Sequence, residues 1–288
     1  MNKITITIIA AILTCSAAAQ DFTHHEFSVN IGGGASGLQT KPTLGKSNGK
    51  GAISAGLGYH YLIDQNWGIG TGINFSFYNG KIAINDYNQQ HTAINTLTGN
   101  QFDFLVSSSK YQETQKVTMI TIPLMAQYQY QGEEKLAYYG ALGFKVGIPA
   151  SSKSKSKGSF TTKGYYPNLG VTYEDLPDYG FVTNQPFPES KTNLGLKAAV
   201  MASAEVGVKY RFGETTSLYA GIYTDYGLNN MSKKGNKANN TLVAHQSDSP
   251  AQFAYNPAVN SYAKKVKPFA VGITLRFAFQ LQMQQATP

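Results

Sequence analysis

The chain has 288 residues and is poor in charge: 14% of its residues are charged, and it contains 29 glycines, 19 tyrosines and 15 phenylalanines. Soluble globular domains average about 25% charged residues, so this composition argues against an ordinary soluble domain. The single cysteine, Cys15, excludes a disulfide framework. The formal net charge of +8 leaves two kinds of anionic partner to consider, nucleic acid and the phosphates or glycans of a membrane surface.

Residues 1–19 have the pattern of a secretory signal peptide: a lysine, an apolar run and an A-x-A site that ends at Ala19. The apolar run is too short to span a membrane as a helix. We expect cleavage after Ala19, which would remove Cys15 and leave residues 20–288 as one all-β domain. A lipoprotein acylated at Cys15 is the alternative, although the residue before it fits poorly. For an exported chain we expect no nucleic acid partner, and solvated loop lysines account equally well for the charge.

Residues 53–78, ISAGLGYHYLIDQNWGIGTGINFSFY, contain two alternating runs joined by a short polar turn. Apolar side chains occupy one face of each run, and glycine and small polar residues occupy the other. The polar face of a soluble sheet normally carries charged residues and threonine instead. An apolar face with a face of small residues behind it is typical of strands that separate lipid from a narrow lumen, so the hairpin indicates a membrane β-barrel.

The same alternation recurs along the chain and predicts eight strands. They lie at about residues 26–34, in the two runs of 53–78, and at 116–130, 136–148, 193–212, 218–228 and 267–279. Eight is an even number, as bacterial barrels require, and most runs reach the roughly 9–11 residues of a tilted crossing.

Short links at residues 64–66, 131–135 and 213–217 alternate with long links at 38–50, 79–114, 149–192 and 229–265. Outer-membrane barrels show this arrangement, with short periplasmic turns and long external loops. The predicted fold is therefore an all-β, eight-stranded antiparallel transmembrane β-barrel with three short periplasmic turns and four long external loops. A soluble barrel of the lipocalin type is the alternative, but it should have an apolar interior.

Three strings carry a family resemblance: ITIPLMAQYQY, LAYYGALGFKVGIP and VGITLRFAF. With them the chain resembles the small outer-membrane β-barrel proteins of the OmpA/OmpX-like and Bacteroidota porin-family type. The resemblance implies an outer-membrane location, insertion by the barrel-assembly machinery, which reads an aromatic-ended last strand, and contact with outer-membrane lipid and lipopolysaccharide. Two departures are residues 280–288, which follow that strand, and the lack of a peptidoglycan-binding domain, which weakens a wall-anchoring role.

Because alternate residues of a strand face the same side, several charged and polar side chains have the parity, that is, the odd or even position in the strand, that faces the predicted lumen. They are His60, Asn74, Lys145, Lys197, Glu205, Lys209, Arg211, Asp225 and Arg276. Buried charges need partners. We predict that Glu205 pairs with Arg276 and that Asp225 pairs with Lys197. Because side chains can fill the lumen of eight strands, these pairs either plug the barrel or gate a narrow ion path.

The long links carry candidate contact surfaces. Lys153, Lys155 and Lys157 alternate with serines in SSKSKSKGS, a basic loop patch that could bind lipopolysaccharide phosphates or simply remain flexible. The tyrosines of residues 165–179 could contact an external protein or glycan ligand, or pack on one another. We expect no metal and no cofactor.

The chain offers little for catalysis. Its histidines are His24, His25, His60, His91 and His245, and no serine-centred motif accompanies them. We therefore expect no catalytic residue. The favoured function is structural or a surface interaction, such as adhesion or membrane integrity. The alternatives are a small-solute or ion channel and, third, a lipid A-modifying enzyme.

Overall fold

The computed structural model describes residues 24–42, 44–96, 98–132, 135–189, 191–213, 215–232 and 241–281. The predicted signal peptide lies outside this part of the chain. Eight long antiparallel strands close into a ring, which confirms the predicted barrel. They are β1 (His24–Pro42), β2 (Lys46–Leu62), β3 (Trp67–Ile94), β4 (Gln101–Gln131), β5 (Leu136–Tyr166), β9 (Ala199–Arg211), β10 (Thr216–Gly227) and β13 (Ala263–Leu281).

Smaller elements lie in the two longest connections. Between β5 and β9 are β6 (Val171–Tyr173), a single 3₁₀ turn (Pro177–Tyr179), β7 (Gln185–Pro186) and β8 (Thr192–Asn193). Between β10 and β13 are β11 (Val243–His245), β12 (Phe253–Tyr255) and the helix α1 (Ala258–Tyr262). No helix among the residues described above is long and apolar enough to cross a membrane.

Large apolar side chains point outward around the half of the ring that is nearest the short turns. Ile53, Leu57 and Leu142 are each about two-thirds exposed. Others in this belt are Phe27, Val29, Ile31, Ile73, Phe75, Leu124, Val206, Ile222 and Ile273. A patch of this extent would make a soluble protein aggregate, whereas lipid is a suitable solvent for it. Trp67 and Tyr128 pack edge to face near the short turns, with ring centroids 5.0 Å apart, as in the aromatic girdle of a membrane barrel.

Beyond the belt, three strands continue much further than the sequence pattern predicts. β3, β4 and β5 have 28, 31 and 31 residues. The predicted long loop at 79–114 is therefore mostly paired strand, with a connection of only residues 95–100. Likewise, most of the predicted loop at 38–50 is strand: β1 continues to Pro42, paired with β13, and β2 begins at Lys46, paired with β3. The prediction of four long external loops is wrong in this respect; only the connections 167–198 and 228–262 are long.

A reversal of the apolar face explains the error. In β3 the outward residues Phe75 and Phe77 are apolar, but from Tyr78 onward the apolar residues are the inward ones, Ile82 and Ile84. The alternation itself continues, because the strand stays paired while its outer face passes from lipid to water. In the sequence this reversal resembles the end of a strand.

The predicted basic loop is part of the same extension. Lys153, Lys155 and Lys157 lie in β5, on its outward face, and their register partners in β4 are Lys116, Thr114 and Gln112. They are therefore strand residues, and the prediction that they form a loop patch is wrong.

The extensions and the long connections share one apolar core, which we call the head. It comprises the described residues of 78–118, 150–198 and 228–266. Among its buried members are Ile82, Ile84, Tyr87, Phe102, Phe104, Val106, Tyr111, Phe160, Phe181, Phe187, Leu242, Val259 and Tyr262. The head is thus a packed body on top of the barrel rather than a set of separate loops.

Limited digestion with trypsin tests the extended strands. We expect the folded protein to resist cleavage at Lys153, Lys155 and Lys157, because paired strands do not enter a protease site without local unfolding. The heat-denatured chain should be cut at all three, as mass spectrometry of the fragments would show. Rapid cleavage of the folded protein at these lysines would favour a flexible loop.

Candidate functional site

The layer of the lumen nearest the short turns contains a fully buried ion pair. Lys209 Nζ lies 3.2 Å from Glu26 Oε2, and both side chains are essentially unexposed. The Tyr219 hydroxyl donates to the same carboxylate oxygen at 2.8 Å, and its ring lies 4.8 Å from the Lys209 ammonium. Glu26 was not among the predicted lumen residues, although it has the parity of Ser28 and Asn30, which would have placed it there.

Arg276 completes this layer with partners other than the predicted one. One guanidinium nitrogen lies 2.8 Å from His60 Nε2, and another donates to Gln127 Oε1 at 2.7 Å. The guanidinium also stacks over the Tyr219 ring at 3.9 Å. The structure shows no Glu205–Arg276 ion pair among the described residues. Glu205 instead accepts a hydrogen bond of 2.7 Å from the Tyr139 hydroxyl.

Asp225 lies higher in the lumen, and its partner is Lys145, with Nζ 2.9 Å from Oδ1. The Ser203 hydroxyl donates to the same oxygen at 2.7 Å. The predicted pairing of Asp225 with Lys197 is wrong. β9 begins only at Ala199, so the strand parity does not extend to Lys197, whose side chain is exposed.

The buried lumen charges therefore have partners within the barrel. Among the described residues, Glu26, Glu205 and Asp225 each accept a hydrogen bond or pair with a cation, and Lys145, Lys209 and Arg276 each have a polar partner. Pairing of this kind lowers the large cost of burying charges.

A second, apolar layer closes the lumen beneath the head. It consists of Tyr78, Met119 and Met201, which are at most 3% exposed, and the Tyr78 hydroxyl donates to the Met201 sulfur at 3.8 Å. Between the charged and apolar layers lies a cavity of about 90 Å³ that both polar and apolar side chains line. The charged layer and the apolar layer thus lie on opposite sides of a small cavity in the lumen.

A buried carboxylate fastens the head together. Glu113 is unexposed and accepts hydrogen bonds from the Tyr111 hydroxyl at 2.9 Å and the Gln115 amide at 2.8 Å. It also accepts from the backbone N–H groups of Ala258 and Val259, which begin α1. Burial raises the pKa of Glu113, and these four donors oppose the rise. The contact ties the β10–β13 connection to β4; the isolated carboxylate gave no sequence signal for it.

The ring of eight strands, the apolar belt and the polar lumen together define a small membrane β-barrel. The chain belongs to the outer membrane protein beta-barrel domain family, whose model matches residues 18–193. No curated protein matches the sequence significantly.

Solved structures with a similar fold include three small barrels. Ail of Yersinia pestis, in complex with the heparin analogue sucrose octasulfate, is 12% identical, with 88% of this chain and 99% of that chain covered and a TM-score of 0.30. Neisserial surface protein A is 10% identical, with 89% of this chain and 98% of that chain covered and a TM-score of 0.35. OprG of Pseudomonas aeruginosa is 10% identical, with 89% of this chain and 96% of that chain covered and a TM-score of 0.35.

Removing one partner of the buried ion pair should be costly. We expect Lys209→Met to lower the free energy of unfolding by about 3–5 kcal/mol, because it leaves the Glu26 charge buried without its cation. The double variant Glu26→Gln/Lys209→Met should recover most of the loss. Unfolding in urea, followed by the fluorescence of Trp67, gives the measurement.

Lys163→Met is the matched control. Lys163 pairs with Glu174 at 2.5 Å, but both side chains are well exposed, and such pairs contribute about 1 kcal/mol or less. Equal losses for Lys209→Met and Lys163→Met would contradict the account of the lumen pair.

Proposed function

We propose that this outer-membrane barrel protein serves a structural or surface-interaction role, in which a closed barrel anchors the head and displays it outside the cell. The observation that carries the proposal is the double closure of the lumen. A pore would need a continuous polar path, whereas Tyr78, Met119 and Met201 form a buried apolar layer above the charged one. The packed head offers a binding surface that does not depend on transport.

The proposed orientation places the short turns in the periplasm and the head outside. The position of lysines just beyond the apolar belt supports it. Lys116 and Lys153 lie directly opposite each other on β4 and β5, and Lys81 and Lys155 flank Thr114 one step further. Like charges in register repel, so an anion between them would be stabilising. We infer that this group, Lys81, Lys116, Lys153 and Lys155, binds the phosphates of lipopolysaccharide in the outer leaflet.

Export by the signal peptide and insertion by the barrel-assembly machinery remain part of this proposal, since residues 1–19 lie outside the described chain. We also propose that the protein is not an enzyme. The environments of His60, His91 and His245 support this. His60 is held by Arg276 in the closed lumen, and His91 and His245 pack against Phe104. Burial lowers the pKa of both head histidines, which disfavours their charged forms.

Planar-bilayer recordings test the closed lumen. We expect no conductance steps from the purified protein. We also expect none from Arg276→Ala, because the apolar layer would still close the path after the charged layer is opened. Discrete steps in either protein would instead favour the channel alternative. The heat-dependent shift in gel mobility confirms that each sample is folded.

Binding of lipopolysaccharide by the lysine group can be tested through the stability of the folded protein in its presence. We expect lipopolysaccharide to raise the unfolding temperature of the wild-type protein in detergent. Lys116→Gln/Lys153→Gln should lose about 2 kcal/mol of that stabilisation, at about 1 kcal/mol per lysine. Dephosphorylated lipopolysaccharide should stabilise the two proteins equally.

The control for the lysine group is Lys163→Gln, which removes a lysine further along β5. It should keep the full effect of lipopolysaccharide. If Lys116→Gln/Lys153→Gln is stabilised as much as the wild type, the lysines do not bind the phosphates.

A further inference from the structure

The tip of the head, at the end opposite the short turns, contains a pocket of about 360 Å³. Three connections that are distant in the sequence form its walls: the β3–β4 turn, the β5–β9 connection and the β10–β13 connection. The lining residues that matter most are Asn95, Tyr166, Asp178, Tyr179, His245 and Asp248. The pocket is separate from the lumen and from the lysine group.

Contacts between the walls hold the pocket in shape. The Thr96 hydroxyl donates to the Ser247 carbonyl at 2.9 Å, and the Asn95 amide donates to the Tyr166 hydroxyl at 3.3 Å. Gly180 has a φ of +81° and lies so close to the Pro250 carbonyl that a Cβ atom there would clash with it. A binding site that is already formed loses little entropy when a ligand enters.

The base of the pocket is aromatic. Phe102 stacks on Tyr166 with ring centroids 5.0 Å apart, and it meets Phe181 and His245 edge to face at 5.7 and 5.2 Å. Tyr179 stands beside this base with 42% of its surface exposed. Tyrosine offers a ligand both an apolar face and a hydroxyl group.

The polar groups at the rim are mainly acceptors. Asp178 and Asp248 are exposed, and neither carboxylate has a hydrogen-bond or ion-pair partner among the described residues. The described lining contains no lysine or arginine, so the pocket is negative on a protein whose net charge is positive.

We propose that this pocket binds a sugar ring that carries no acidic group. The assignment rests on the proposed surface-interaction role and gives the ligand class for that role. The hydroxyls of such a ring would donate to Asp178 and Asp248, and its C–H face would lie on the aromatic side chains. Pockets with an apolar lining and a few convergent polar groups are the usual form of small-ligand sites.

The charge and the mixture of groups select this class over two others. An anionic glycan would meet two unpaired carboxylates without a compensating cation, so like-charge repulsion disfavours it. A simple cation would need only acceptors, whereas the pocket also presents the Tyr179 hydroxyl and an aromatic base. A sugar ring uses all of these groups together.

Binding of the full-length protein in detergent to immobilised glycans tests the proposal. The panel consists of mannan, dextran and galactan as neutral polymers, with heparin as the anionic polymer and polylysine as the cationic one. We expect the wild type to bind at least one neutral polymer. Asp178→Asn/Asp248→Asn and Tyr179→Ala should each weaken that binding by about tenfold or more, since each removes contacts at the ligand.

Asp86→Asn is the matched control. Asp86 is an exposed carboxylate of the head outside this pocket, in a left-handed conformation with φ of 51° that asparagine also adopts. It should bind like the wild type. The heat-dependent gel shift shows that every variant is folded.

Three results would overturn the proposal: no binding to any neutral polymer, neutral-polymer binding that the pocket variants leave unchanged, or binding of polylysine that is lost with the two carboxylates. Failure of the proposed function is distinguishable, because it would appear as bilayer conductance. If the protein stays silent in bilayers yet binds no neutral glycan, only the sugar assignment is wrong.

Discussion

The alternation of side chains along a closed ring of strands is the constraint on which the rest of this structure depends. Each strand presents successive residues to opposite faces, and closure of the ring makes one face the outside and the other the lumen. The outside meets lipid around the belt and water around the head. The apolar residues must therefore lie outside in the first half of a long strand and inside in the second. In β3 this reversal occurs between Phe77 and Tyr78.

That reversal gives the protein two interiors with different chemistry. Inside the belt the lumen is polar, and its charges are neutralised by pairs such as Lys209–Glu26 and Lys145–Asp225. Inside the head the strands enclose an apolar core that the two long connections complete. Glu113 is the polar exception there, and it holds α1 because both of its oxygens have donors. The barrel supplies an anchor in the membrane, and the head supplies a stable surface above it.

The sequence predicted the strand topology well, but it did not predict the hydrogen-bond and ion-pair partners of the lumen side chains. Parity placed Glu205, Asp225 and Arg276 in the lumen, because a residue's face depends only on its position in the strand. It did not identify Tyr139, Lys145 and His60 as their partners. Those contacts depend on the stagger between strands and on side-chain length, which bring together residues as distant in sequence as His60 and Arg276.

Alternation and the spacing of links in the sequence alone determined the class of fold, the number of barrel strands and most of the lipid-facing residues. Only the tertiary structure decided where the strands end, since the reversal at Tyr78 resembles a strand terminus unless the partner strand is known. It also decided that Lys153, Lys155 and Lys157 lie on a paired strand and that Asp178 and Asp248 share one pocket. An alternating pattern of apolar and polar residues indicates which solvent each face of a strand meets. Whether separate connections come together depends instead on how the whole ring closes.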